Sequence, residues 1–278
     1  MKDVVVVLMF ITAICVYANK GDTVSQFTLS GQPADGVRGL AYDPADGNIW
    51  CAGPNAIYNI IFAKFKNDTT HEIVQNWQSV ENQYWVFDIG YKYTYSGKDC
   101  LVFCGKDGTR IWLKDPANGK HIGDIPDPFN GGYDEGIEGN YDSSWGVTLY
   151  ATNYVYTLVR KWNGSSWENF AICSSPPMGL AYGWGYVFVI HTSSLYSIWV
   201  FRASDGSKVE EIPLTYWGTK YMVGLARGRD NYNGPGTGET LYTAVFYPSN
   251  TIYEIDIGDY NQSDIEATSV GNIKALYK

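Results

Sequence analysis

Four acidic residues, Asp88, Asp134, Glu135 and Glu138, are the side chains in this sequence whose type and grouping best suit chemistry. A facing acid and a base or nucleophile across a pocket are what glycoside cleavage requires. Nucleophilic hydrolysis has less to draw on. No Gly-x-Ser-x-Gly elbow occurs, and only His71, His121 and His191 could serve as bases. Each histidine stands in or beside an apolar stretch without a second ligand at metal spacing, so each reads as a strand histidine and not as a base or ligand. Outside the first residues the cysteines are Cys51, Cys100, Cys104 and Cys173. In a strand, Cys100 and Cys104 share a face but lie too far apart to bond each other easily, and the C-x₃-C spacing has no histidine near it. No catalytic residue and no metal ligand set follows from these patterns.

Two loops have the composition of cation sites, Asp43-Pro-Ala-Asp-Gly-Asn48 and Arg227-Gly-Arg-Asp-Asn-Tyr-Asn-Gly234. Neither has the ligand spacing of an EF-hand, so they read as turns, with calcium an adventitious guest and no cofactor expected. A third group mixes aromatic rings with amides and acids: Gln32 and Asp35, then Glu81 to Trp85, Asp127 to Glu135, and Tyr216 with Trp217. Tyr and Trp offer a large apolar body with a polar tip, which suits a protein or carbohydrate partner. Trp85, Asp88, Asp134, Glu135, Glu138 and Trp217 are therefore the predicted binding residues. The plainer reading is a hydrated acidic mouth in a chain whose aromatic content is 16% throughout.

The elements that would position these groups emerge from an internal repeat. Gly39-Leu-Ala-Tyr-Asp43 recurs as Gly179-Leu-Ala-Tyr182 and Gly224-Leu-Ala226, with looser copies at Asp88-Ile-Gly-Tyr91 and Glu138 to Asp142. With Tyr42, Tyr91, Tyr141, Tyr182 and Arg227 taken as equivalent, the copies lie about 40 to 50 residues apart, the spacing of propeller blades. Each copy continues with a second apolar strand such as Asn48 to Cys51 or Tyr186 to Ile190, then a third, such as Tyr156 to Trp162. Asn-Gly or Asp-Gly turns and a fourth strand follow. Helical periodicity is absent, which excludes helical repeat arrays. The fifth copy lacks its fourth strand, and Thr23 to Leu29 stands before the first copy as each fourth strand stands before the next. The predicted fold is an all-β propeller of five four-stranded blades closed by that N-terminal strand. Asn272 to Lys278 repeats a first-strand pattern and leaves a sixth blade open.

Gly39-Leu-Ala-Tyr-Asp-Pro-Ala-Asp-Gly-Asn-Ile-Trp50 resembles the blade opening of secreted propellers of the NHL, streptogramin-lyase-like and glutamine-cyclotransferase-like groups. The resemblance spans nearly the whole chain after residue 18 and implies architecture, not activity. The histidine and metal constellation of the lyase-like enzymes has no counterpart at His71, His121 or His191. The acidic cluster of the cyclotransferase-like propellers is likewise unmatched.

A net charge of −9 leaves no basic stripe for phosphates and excludes nucleic acid as a partner. Residues 1–18 carry one early lysine, an apolar run and a small residue at Ala18, the layout of a secretory signal, so the expected domain is 19–278. Together these features predict a secreted or cell-surface, non-enzymatic propeller that binds a ligand or protein or builds an assembly. The alternative is an extracellular glycosidase or lyase working through its channel carboxylates. The apolar run at Val4 to Val16 and the extra strand pattern at Asn272 to Lys278 add an expectation of self-assembly by strand addition.

Overall fold

The computed structural model describes residues 19–29, 36–54, 60–79, 86–105, 110–129, 134–139, 149–191, 196–214, 221–230, 232, 238–247 and 251–260. All regular structure in these residues is β. Strand β1 (Thr23–Thr28) precedes the first complete blade, formed by β2 (Gly39–Tyr42), β3 (Ile49–Pro54), β4 (Ile60–Phe65) and β5 (Ile73–Gln78). The second blade is β6 (Val86–Tyr95), β7 (Lys98–Gly105), β8 (Arg110–Lys114) and β9 (His121–Pro126). The third is β10 (Asp134–Gly139), β11 (Leu149–Asn153), β12 (Leu158–Trp162) and β13 (Trp167–Ile172), and the fourth is β14 (Pro177–Gly183), β15 (Tyr186–His191), β16 (Ser197–Arg202) and β17 (Lys208–Pro213).

Strands β18 (Tyr221–Asp230), β19 (Glu239–Tyr247) and β20 (Thr251–Gly258) form the fifth blade, and β1 completes it by pairing antiparallel with β20, Thr28 opposite Thr251. β18 also packs on β2 and β14, so the ring is closed. The molecule is a five-bladed propeller with its N-terminal strand as the clasp, as the sequence predicts. Asn272 to Lys278, the pattern behind a sixth blade and behind self-assembly, and the apolar run before residue 19 lie outside the described residues.

Burial follows the place of each strand in its blade. Second strands such as β3, β11 and β15 are almost wholly buried, and β3 and β15 read as nearly continuous apolar runs. Fourth strands such as β5 alternate, with Ile73, Gln75 and Trp77 half-buried between exposed residues. The half-buried set docks on the next blade: Trp77 Nε1 donates to the Pro116 carbonyl at 3.2 Å, and Trp77 covers Gly119, where a Cβ would stand 2.2 Å from the indole. Gly119 also has φ of +72°, the left-handed turn its Asn-Gly context requires.

Two sequence expectations shift. Leu149 pairs with Gly139, as Ile49 pairs with Tyr42 and Val187 with Tyr182, so Gly139 and not Tyr141 is the third-blade equivalent of Tyr42. The third strand of that blade begins at Leu158, because Tyr154 to Thr157 form the bend that joins it to β11. None of the four described cysteines is in a disulfide, and all are buried. Burial pushes the Cys51 and Cys173 thiols up to about 12.

Candidate functional site

The axis is built from one register position per blade. Gly39 opposite Ala52, Asp88 opposite Cys104, Gly136 opposite Thr152 and Gly179 opposite Ile190 are equivalent, and Gly224 holds the same place in β18. Each is followed by a buried leucine or isoleucine. Four blades thus bring glycine to the centre and the second brings an acid. Close approach explains the glycines: a Cβ on Gly39 would lie 2.5 Å from the Ile89 nitrogen, and one on Gly179 would lie 2.9 Å from that of Gly224.

The Asp88 carboxylate occupies the space the glycines leave. Its Oδ1 accepts from the amides of Leu40 at 3.2 Å and Ile89 at 2.9 Å, and its Oδ2 accepts from Ile137 at 3.2 Å. Each donor is the residue just after the axial position of its own blade, so one side chain ties the first strands of three blades together. Asp88 is 0% exposed. Burial pushes its carboxyl well above the usual range, and the amides that donate to it pull in the opposite direction.

Two residues further along, the next layer repeats the arrangement with Ala41, Gly90, Glu138, Ala181 and Ala226, again four small residues and one acid. Glu138, 1% exposed, accepts from the amides of Tyr91 at 3.1 Å and Gly139 at 2.7 Å through Oε1. Its Oε2 has no partner among the described residues. Burial, with the Asp88 charge added, pushes Glu138 well above its ordinary value. The sequence anticipates a hydrated acidic mouth at these positions; Asp88 and Glu138 are instead enclosed and bond to the backbone amides of the first strands, an arrangement suited to tying those strands together.

Asp134 and Glu135 lie at the start of β10, one strand turn from Glu138. Trp85 and Trp217 fall in connections outside the described residues. Among the six predicted binding residues, the structure therefore brings Asp88 and Glu138 together.

A surface that sequence reasoning misses stands at the rim of the third blade. Tyr154, Val155 and Tyr156 are exposed, Val155 to 64%, and Ile172 at the end of β13 is 81% exposed. Tyr156 stacks on Phe129 at 5.5 Å and 13° between rings, and Arg160 lies over the Phe129 ring while donating to the Pro128 carbonyl. The connection leaving the second blade is thus fixed to this rim. Of this run, the sequence reading takes only Tyr156 into an element, as the start of the third strand.

No protein-family model matches the sequence, and no curated protein matches it. Among solved structures, the glutaminyl cyclase of Myxococcus xanthus is similar at a TM-score of 0.56 and 9% identity, over 87% of this chain and 100% of that one. Virginiamycin B lyase from Staphylococcus aureus is similar at 0.46 and 15%, over 81% and 68%, and apo AztD from Citrobacter koseri at 0.38 and 14%, over 65% and 47%. At such identities the likeness is one of fold. The chain is a β-propeller, as the repeat resemblance implies.

Proposed function

We propose that this protein is an exported propeller that binds a protein or carbohydrate partner, or takes its place in a cell-surface assembly, through the rim of its second and third blades, with no chemistry done by its axial carboxylates. The observation that carries this reading is the exposed cluster of Tyr154, Val155, Tyr156 and Ile172 on a molecule whose other large apolar side chains are mostly enclosed. The competing reading, a glycosidase or lyase working through the axis, draws no support from carboxylates already bonded to backbone amides. Export is supported by the signal-like layout of residues 1–18.

The test is association by native material. Protein isolated from its source is cross-linked and sized beside an Ile172→Asp, Tyr154→Ser variant expressed in the same host. The reading expects a defined complex that the double variant loses while its melting temperature holds. A native protein that runs as a solitary monomer, or a complex indifferent to the substitutions, refutes it.

A further inference from the structure

The fourth blade carries a hydrogen-bonded relay separate from the axis. His191 ends β15, Ser197 begins β16 directly opposite it, and Glu211 of β17 lies opposite Trp199, two residues along from Ser197. Alternation therefore puts His191, Ser197, Trp199 and Glu211 on one face of the sheet. His191 is 2% exposed, its ring stacked on Trp199 at 4.0 Å. Ser175 reaches the other side of the imidazole from the connection between β13 and β14. It stands two residues before Pro177, whose backbone is opposite His191 in the ladder.

The protons of this relay have one consistent arrangement. Ser197 Oγ donates to Glu211 Oε1 at 2.7 Å, so it has only lone pairs left for His191 Nε2, to which it is also bonded. Nε2 must then carry the imidazole's proton, which leaves Nδ1 bare to accept from Ser175 Oγ at 2.8 Å. Burial holds His191 below its ordinary value, and Lys208 followed by Ser197 holds Glu211 down to about 2. A neutral imidazole and an ionised carboxylate coexist at neutral pH. Nucleophile, base and orienting acid are in hydrogen-bond sequence, the arrangement that activates a serine hydroxyl.

The surroundings indicate what would reach it. Ser175 is partly exposed, whereas the base behind it is enclosed. Its connection begins after the exposed Ile172, and the Cys173 amide donates to the Thr157 carbonyl at 2.9 Å, which holds the Tyr154 to Tyr156 bend against the same stretch. Ser175 therefore stands three residues along the chain from the exposed Ile172, on the connection against which this apolar bend is held.

We propose that Ser175 accepts acyl groups from esters of apolar acids, with His191 as its base and with Ser197 and Glu211 as the residues that position the imidazole. Ser175 Oγ forms the new bond to the acyl carbon while its proton passes to His191 Nδ1. The bond to the alcohol breaks and the alcohol leaves with that proton. Water, deprotonated by the same nitrogen, then adds to the acyl carbon, releases the acid and restores the serine. This chemistry requires no partner at the rim, and its failure leaves the binding reading standing.

The probes are an alkyl fluorophosphonate, read by intact mass and peptide mapping, and p-nitrophenyl butyrate. One adduct is expected, on the peptide containing Ser175, absent from Ser175→Ala and retained in Ser174→Ala. Glu211→Gln should slow adduct formation about ten-fold or more, as expected when a base is left misaligned, and Glu211→Asp should recover part of the rate, with melting temperature unchanged in both. An unlabelled wild-type protein, or equal labelling of Ser175→Ala, overturns the proposal. Equal rates in wild type and Glu211→Gln remove the relay from it.

Discussion

Replacing Asp88 by glycine would give the second blade the residue that the other four present at the axis. A repeat-based consensus would make this change with confidence, and the structure predicts that it is harmful. The amides of Leu40, Ile89 and Ile137 would lose their shared acceptor in a region where Asp88 itself is wholly enclosed. A buried donor left unsatisfied costs about 1–3 kcal/mol. Three at the upper end would sum to more than is realised, because water can enter the space vacated by the carboxyl and because burying the carboxylate is itself unfavourable. A net loss of about 4 kcal/mol is the working figure. With an unfolding entropy of about 2.1 cal/mol/K per residue, a chain of this length should lose about 7 °C in melting temperature. Asp88→Asn should fall between wild type and Asp88→Gly, since the amide keeps one acceptor and turns a donor towards another N–H. Calorimetry at pH 6 and urea unfolding measure both. An Asp88→Gly protein that melts at or above the wild-type temperature would show that the acid is a burden on the axis and not its tie.

Glu138→Gln should behave in the opposite way. Gln can keep the two amide bonds to Oε1 and place NH₂ where Oε2 has no described partner. The folded-state value of Glu138 lies above its unfolded one, so the folded state binds more protons between them and its contribution to stability falls as pH rises from about 4.5. Urea unfolding from pH 5 to 8 should show a shallower decline in Glu138→Gln, and an unchanged slope would rule Glu138 out as its source. Deleting residues 19–29 removes β1 and bares the edge of β20, so aggregation or a large loss of stability is expected; unchanged melting would show that another strand closes the ring. Native protein at pH 8 should leave Cys51, Cys100, Cys104 and Cys173 unreactive to a thiol reagent, and denatured protein should release four thiols if residues 1–18 are removed or five if Cys15 remains. Rapid native labelling would contradict the burial.

What the sequence revealed and what it concealed divide along physical lines. The blade count and the clasp were legible because both depend on local pattern: alternation in β5, Asn-Gly turns such as that ending at Gly119, and a strand at Thr23 to Leu29 placed where every other copy has its fourth. Asp88 was legible as an acid on a first strand. Its role was not, because that depends on amides at Leu40 and Ile137, which only the packing of neighbouring blades brings together. The third-blade equivalence failed by two residues, Tyr141 for Gly139, because a shift of two preserves the face of a strand and so preserves the apolar pattern that sequence alignment reads. His191 looked like a strand histidine, which it is; its partners Ser175 and Glu211 come from a connection and a different strand, with nothing in their spacing to join them.

Four inner strands bring glycine to the axis and the second brings Asp88, whose carboxylate fits there and is held by the backbone that surrounds it. The exposed apolar side chains stand outside the first strands. The connections between second and third strands and between fourth and first strands open on a common face, and the third-blade bend at Tyr154 to Thr157 and the Ser175 connection are one of each kind. Their joining through the Thr157 carbonyl and the Cys173 amide makes them one surface, not two neighbouring loops. A substitution that breaks this surface, such as Ile172→Asp, should spare the axis: stability should change by no more than about 0.5 kcal/mol, as for an exposed residue away from special features, while association is lost. If Ile172→Asp instead unfolds the protein, the residue is covered in the native state and the rim is part of the core.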